Sequence, residues 1–299
     1  MNELSGIITP AISPFNGDEL KEPAIEKLMV HLHQIGVSGV FPMGSNGSSP
    51  FISNKMHKRI LEVFSKYRSK DEYFVPGVGK NNIEDTLELS EFAADINSDA
   101  IVVVTPYYLK VSQKSIYSYF DRIVGKVDLP VILYNIPQLT GNTIRPETVL
   151  QLSENYSNIV GIKDSSGDLT LFQDYLLNLP KKIKVFQGQD ELLLPSLVLG
   201  AAGGVCGSTN FIDLATKVMK SFKDSDIRSA ARIQRKLSML KSYLNTKSFP
   251  QVYSFLFHKL ILKQDITGTP AMLDPLEQSE MGEIYHNVTR ILDQKVEIF

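Results

Sequence analysis

Lys163, at the end of the run NIVGI (Asn158 to Ile162), is the residue of this chain best placed for covalent chemistry. The run is short and β-branched, which suits a strand covered on both faces. Burial disfavours the charged form of an amine, and the neutral amine is the form that attacks a carbonyl carbon. A lysine at a strand end also has a plain alternative, which is to snorkel to solvent along its methylene stem. The choice between the two depends on what the rest of the chain brings to the same place.

Other segments carry groups that suit such an amine. GSNGSS, Gly44 to Ser49, offers backbone amides and hydroxyls that can cradle a small anion. It lacks the lysine of a nucleotide P-loop and the spacing of a dinucleotide fingerprint. Tyr134 closes the run PVILY, and a phenol beside an imine can carry protons. TPYYLK (Thr105 to Lys110) supplies Tyr107 and Tyr108, and the sequence leaves open which of them faces a site. The histidines His31, His33, His57, His258 and His286 are scattered, so no metal centre is expected.

The elements that position these groups recur in order. Strands are expected at Gly6–Ala11, Gly39–Met43, Tyr73–Gly77, Ala100–Thr105, Pro130–Tyr134, Ile159–Lys163, Lys184–Gln187 and Gly203–Gly207. Helical periodicity separates them. Ile25, Leu28, Met29 and Leu32 repeat at three and four residues, and a second helix, Ile83–Ile96, is opened by Asn82 with Leu87, Phe92 and Ile96 on its apolar side. Eight βα units close naturally into a barrel, whose chemistry lies at the carboxyl ends of its strands; a doubly wound open sheet is the competing α/β architecture. The glycine-rich eighth strand favours closure. Residues 1–223 read as the barrel and 224–299 as a helical extension packed on it.

Bulk properties exclude other classes. With 43% hydrophobic and 21% charged residues, the chain has the composition of a globular protein with a sizeable core. A formal net charge of −2 argues against nucleic acid or an anionic membrane as partner. The apolar stretch Leu192 to Gly207 is interrupted by Pro195 and glycines and is too short to span a bilayer. No signal-peptide pattern opens the chain, and the single Cys206 has no partner for an internal disulfide, so a cytoplasmic location is expected.

Taken together, ITPAISPF, GSNG, TPYY, YNIPQLTG, GIKDSSGD and TPAMLDPL resemble, in order and spacing, the pyruvate-dependent class I aldolases. That family includes dihydrodipicolinate synthase, N-acetylneuraminate lyase and 2-keto-3-deoxygluconate aldolase. The resemblance implies a (β/α)8 TIM barrel with three carboxy-terminal helices, assembled as a homotetramer, a dimer of dimers. It implies that Lys163 is the Schiff-base lysine and Tyr134 the proton donor and acceptor, with no cofactor beyond the imine itself. Ser45 and Asn46 take the positions that hold the pyruvyl carboxylate, and Ile136, Ser165 and Gly188 take substrate-lining positions. Tyr108 fits the tyrosine that reaches a neighbouring subunit's site.

Two departures stand out. The usual pair of hydroxyl residues is Ser45-Asn46 here, which weakens the hydroxyl relay to Tyr134. The synthases' arginine after YN-x-P is Leu139, which removes the charge partner of their second substrate. GSNGSSPFIS and YNIPQLTG are most similar to archaeal-type 2-keto-3-deoxygluconate aldolases. The expected reaction is therefore cleavage of that 2-keto sugar acid to pyruvate and glyceraldehyde, the chemistry of the Entner-Doudoroff route. The 6-phospho substrate stays open, with Lys110 and Lys247 as the cations it would use. A synthase, a sugar-acid dehydratase and a non-catalytic pyruvate-binding paralogue are the alternatives.

Overall fold

The computed structural model describes residues 4–296. Eight parallel strands form the barrel wall: β1 Gly6–Pro10, β2 Gly39–Phe41, β3 Tyr73–Phe74, β4 Ile101–Val104, β5 Val131–Asn135, β6 Ile159–Asp164, β7 Lys184–Gln187 and β8 Gly203–Val205. They are hydrogen-bonded in the order β3-β2-β1-β8-β7-β6-β5-β4. A single parallel bridge, Gly77 to Val102, joins the two ends of this sheet and closes the ring. The third strand stops at Phe74 instead of running to Gly77, because Pro76 has no N–H to donate to a ladder. Its carbonyl still accepts from Val102 N–H at 2.9 Å, and Val78 N–H donates to the Val102 carbonyl at 3.0 Å.

Eight helices cover the outside: α1 Glu22–Gln34, α2 Asn54–Tyr67, α3 Ile83–Asp95, α4 Gln113–Val124, α5 Pro146–Asn155, α6 Leu169–Asn178, α7 Leu193–Leu199 and α8 Leu214–Lys223. Three more, α9 Ile227–Leu244, α10 Gln251–Phe257 and α11 Gln278–Asp293, make the extension. Among the described residues no helix is long and apolar enough to cross a membrane.

Strand alternation sorts the core into two layers. Ile8, Phe41, Val75, Val102, Ile132, Tyr134, Phe186 and Val205 fill the barrel interior. Val131, Leu133, Ile159, Ile162 and Val185 point outward to meet α3 to α6. On α1, Ile25, Leu28, Met29 and Leu32 are all buried, each side chain contributing about 1.5–3 kcal/mol. On α3, Asn82 caps the first turn by accepting from Glu84 N–H. The fully buried face of α3 is Thr86, Leu89, Ser90 and Ala93, whereas Leu87, Phe92 and Ile96 are only partly buried. The two hydroxyls satisfy themselves locally, Thr86 on the Lys80 backbone and Ser90 on the Thr86 carbonyl, so a hydropathy pattern misplaces that face.

His57 links α2 to the closure of the barrel. Its Nε2 lies 2.8 Å from the Gly77 carbonyl, beside the one bridge that joins β3 to β4. Burial, aided by the nearby Lys80 charge, pushes His57 down to about 3 from its ordinary 6.5. Between those values the unfolded chain takes up a proton that the folded chain refuses. Stability therefore holds above pH 6.5 and falls as the pH drops from there toward 3. A series of urea midpoints across this range is expected to decline toward acid, with a shallower slope in His57→Gln.

The eighth strand is glycine-rich because it is crowded. A Cβ on Gly203 would lie 1.9 Å from the Gly6 carbonyl oxygen on β1. Gly203→Ala must part β1 from β8, and an expected loss of about 3 kcal/mol or more should appear in the same urea titration.

Candidate active site

Tyr134 and Lys163 are register partners on β5 and β6, both facing the barrel interior at its carboxyl end. Lys163 is 4% exposed. Its Nζ lies 3.9 Å from the Tyr134 ring centroid and 4.9 Å from that of Phe41. Phe41 and Tyr134 meet edge to face, with centroids 6.1 Å apart. Among the described residues no carboxylate pairs with Lys163 and no acceptor binds its Nζ. The adjacent Asp164 is turned to the other face of the sheet, where Asn135 and Ser166 hold it. The amine thus has aromatic faces around it and nothing that competes with an incoming carbonyl.

The turn after β2 has the form of an anion seat. The amides of Gly47, Ser48 and Ser49 close the turn on the carbonyls of Gly44 and Ser45. Those of Ser45 and Asn46 donate to no protein acceptor among the described residues. Two adjacent free N–H groups are what a carboxylate needs. Met43 and Ser48 are held at φ of 60°, a conformation that costs about 1–3 kcal/mol where side chains are present and that recurs at ligand-binding turns. Gly44 lies where a Cβ would be 2.8 Å from the Phe41 ring, so the ring under Lys163 also sets the position of the turn. Asn46 Oδ1 and Ser165 Oγ, of two residues that line the same cavity, are buried without protein partners.

Seven of the eight expected residues line one cavity of about 640 Å³: Ser45, Asn46, Tyr134, Ile136, Lys163, Ser165 and Gly188. Tyr108 does not. It is 91% exposed, has a φ of 78° and lines neither this cavity nor its neighbour. Tyr107 lines a second, apolar cavity of about 330 Å³ with Phe41, Met43, Val102 and Val104, which shares Tyr134, Ile136 and Leu139 with the first. Of the two lysines expected to serve a phosphate, Lys247 lines the larger cavity and Lys110 lines neither.

One wall of this cavity joins the strand ends QGQD and CGSTN to Lys241 and Tyr253 of the extension, which no sequence motif singled out. Asp190, after β7, accepts the amides of Gly207 at 3.0 Å and Ser208 at 2.9 Å, which fixes the turn after β8. Lys241 from α9 and Tyr253 from α10 line the same cavity and bond to each other at 2.6 Å. Burial works against the Lys241 charge, but Tyr253, Asp190 and Glu191 outweigh it and raise the amine above the ordinary lysine value. Burial pushes the Tyr253 phenol up to about 12, with Lys241 opposing. Gln234 of α9 donates to the Asp190 carbonyl at 3.0 Å and clamps that loop. The extension therefore lines the cavity through Lys241, Tyr253 and Lys247, of which the sequence singled out Lys247 alone. Among the described residues no group of three or more His, Cys, Asp or Glu could hold a metal ion.

A barrel with a buried lysine, a facing tyrosine and a turn with two free amides suits carbonyl chemistry, and comparison with known proteins places the chain in a family of lyases. The Dihydrodipicolinate synthetase family profile matches residues 3–294, and the chain belongs to that family. It is 39% identical over 241 residues to a 2-dehydro-3-deoxy-D-gluconate/2-dehydro-3-deoxy-phosphogluconate aldolase of Picrophilus torridus, covering 81% of this chain and 88% of the relative. The solved 2-keto 3-deoxygluconate aldolase from that organism superposes with a TM-score of 0.83 at 36% identity, over 89% of this chain and 95% of the other. A 4-hydroxy-tetrahydrodipicolinate synthase of Methanopyrus kandleri is 34% identical, over 83% of this chain and 84% of the relative. YagE of Escherichia coli K12, solved in complex with pyruvate, reaches a TM-score of 0.90 at 27% identity, over 97% of this chain and 99% of the other.

Lys241→Met leaves the Tyr253 hydroxyl without its partner and the Asp190 carboxylate without a nearby cation. The expected outcome is a loss of about 1–3 kcal/mol, read as a lower urea midpoint with unchanged far-ultraviolet circular dichroism.

Proposed function

We propose that this chain is a Schiff-base aldolase that reversibly cleaves 2-keto-3-deoxygluconate to pyruvate and glyceraldehyde. The observation that carries the reading is Lys163: a buried amine with no acidic partner, set against Tyr134 and open to a cavity with a carboxylate seat. The substrate carboxylate docks on the free amides of Ser45 and Asn46. Lys163 adds to the C2 carbonyl, and loss of water leaves an iminium ion. Tyr134 takes the proton of the C4 hydroxyl, directly or through the substrate carboxylate. The C3–C4 bond breaks, its electrons pass to the iminium nitrogen to give an enamine, and C4 leaves as the aldehyde of glyceraldehyde. Protonation of the enamine at C3 and hydrolysis release pyruvate and return the amine. The iminium is the electron sink, so the reaction calls for no cofactor.

The far wall supports the unphosphorylated sugar acid. Among the described residues no arginine lines either cavity. Lys241 is bonded to Tyr253, and Lys247 is paired with Glu283 at 2.8 Å. Glu191 turns a buried, unpartnered Oε2 toward this region, which a phosphate dianion would meet as a like charge. Leu139 on the cavity wall offers no cation to the carboxylate of a second substrate, which counts against a synthase. A tetramer in which Tyr108 reaches a neighbouring subunit's site is part of the same proposal. It is supported by the exposure and positive φ of that residue, close to the exposed Leu109.

The test is a set of three specificity constants: cleavage of 2-keto-3-deoxygluconate, cleavage of its 6-phosphate ester, and condensation of pyruvate with aspartate semialdehyde. The sugar acid is expected to lead. A clear preference for the phosphate ester would overturn the choice of substrate, and a lead for the condensation would make the chain a synthase.

A further inference from the structure

The inward aim of Lys163 is not what its strand would produce unaided. Ile159 and Ile162 both pack in the outer layer, under the helices. Counting every second residue from Ile159 would put Gly161 and Lys163 in that outer layer as well. The alternation of β6 is broken opposite Val131 and Ile132 of β5, where the register jumps from Val131–Ile159 to Ile132–Gly161. Val160 is the extra residue and packs toward the barrel interior. This bulge shifts the phase of β6 by one, so that Asp164 faces outward and Lys163 inward. A Cβ on Gly161 would lie 2.6 Å from the Lys184 carbonyl oxygen, so the bulge sits where only glycine fits.

In a short strand that carries a glycine, register is weakly specified, and a slip of one residue turns every side chain beyond it to the other face. One contact beyond the bulge opposes that slip. Asn135 and Asp164 are the register pair next to Tyr134 and Lys163, and both are buried. Asn135 Nδ2 donates to Asp164 Oδ1 at 2.7 Å. The Asn135 amide cannot be turned round, because its Oδ1 accepts from Ile144 N–H at 3.0 Å. Asp164 is held from its other side by Ser166, through N–H at 3.1 Å and Oγ at 2.8 Å. None of these groups faces the substrate cavity.

We propose that the Asn135–Asp164 side-chain bridge is a register lock that keeps the bulged strand in the phase where Lys163 meets Tyr134. Both are positioning residues, and the proposal rests on the reading of Lys163 as the imine-forming amine. A bridge of purely structural value would add stability and leave the geometry of the pair on the inner face untouched. The lock instead sets the rate at which Lys163 captures a carbonyl.

The experiment follows the pair in four full-length proteins: wild type, Asn135→Asp, Asp164→Asn and the exchange variant carrying both. The readouts are the rate of the Lys163–pyruvate adduct trapped with cyanoborohydride, the urea midpoint, and deuterium uptake of the peptide spanning residues 159–166. Asn135→Asp sets two carboxylates against each other. It is expected to slow adduct formation by about 100-fold, the scale of a misplacement near 1 Å, and to raise deuterium uptake. Asp164→Asn keeps an oxygen for Asn135 and is expected to stay within about tenfold of wild type. The exchange variant re-forms the bond with donor and acceptor reversed, and should recover most of the lost rate and protection.

Adduct formation at the wild-type rate in a folded Asn135→Asp protein would overturn the lock, as would an exchange variant no better than that single variant. If Asn135→Asp does not fold, recovery of folding and adduct formation in the exchange variant supports the lock, and failure to recover overturns it. If the wild type itself forms no adduct, the reading of Lys163 fails. The lock is then judged on deuterium uptake alone, which must rise in Asn135→Asp and fall back in the exchange variant.

Discussion

A primary amine inside a barrel has to be kept from the two partners that would disarm it, bulk water and a carboxylate. At Lys163 both conditions are met by neighbours in space. The rings of Phe41 and Tyr134 pack around Nζ, and the residue is only 4% exposed. The nearest carboxylate in sequence, Asp164, is drawn to the opposite face of the sheet by Asn135 and Ser166. Much of the remaining architecture serves this arrangement. Gly44, at the start of the turn after β2, leaves room for the Phe41 ring, and Tyr134 is set by its register with Lys163.

The same constraint explains why the helical extension lines the candidate site. A barrel mouth is open, and a cavity lined only by strand ends would leave the substrate in water. Helix α9 closes one side through Gln234, which grips the loop after β7, and through Lys241, which brings a cation beside the buried Asp190. Asp190 in turn orders the amides of Gly207 and Ser208. Asn46 lies against Gly207, so the carboxylate seat, the turn after β8 and the extension form one packed unit.

The barrel was legible in sequence because strand and helix periods alternate cleanly and because glycines mark the tight closing strand. Lys163, Tyr134 and the seat at Ser45 and Asn46 were legible as residues at strand ends. What escaped was whatever depends on contacts distant in sequence or on a break in periodicity. The third strand ends early because of a missing proline N–H, and α3 buries Thr86 and Ser90, whose hydroxyls are satisfied locally. Lys241 and Tyr253 resembled ordinary helix residues until the fold set them beside Asp190. The bulge at Val160 has no signal in hydropathy, yet it decides which way the central lysine points.

The central claim is that Lys163 is the residue that joins covalently to pyruvate. Reducing the wild-type protein with borohydride in the presence of pyruvate, followed by peptide mass mapping, tests it most directly. The account predicts one reduced pyruvyl group, carried on the peptide that contains Lys163. An adduct on any other lysine, or none at all, would contradict it.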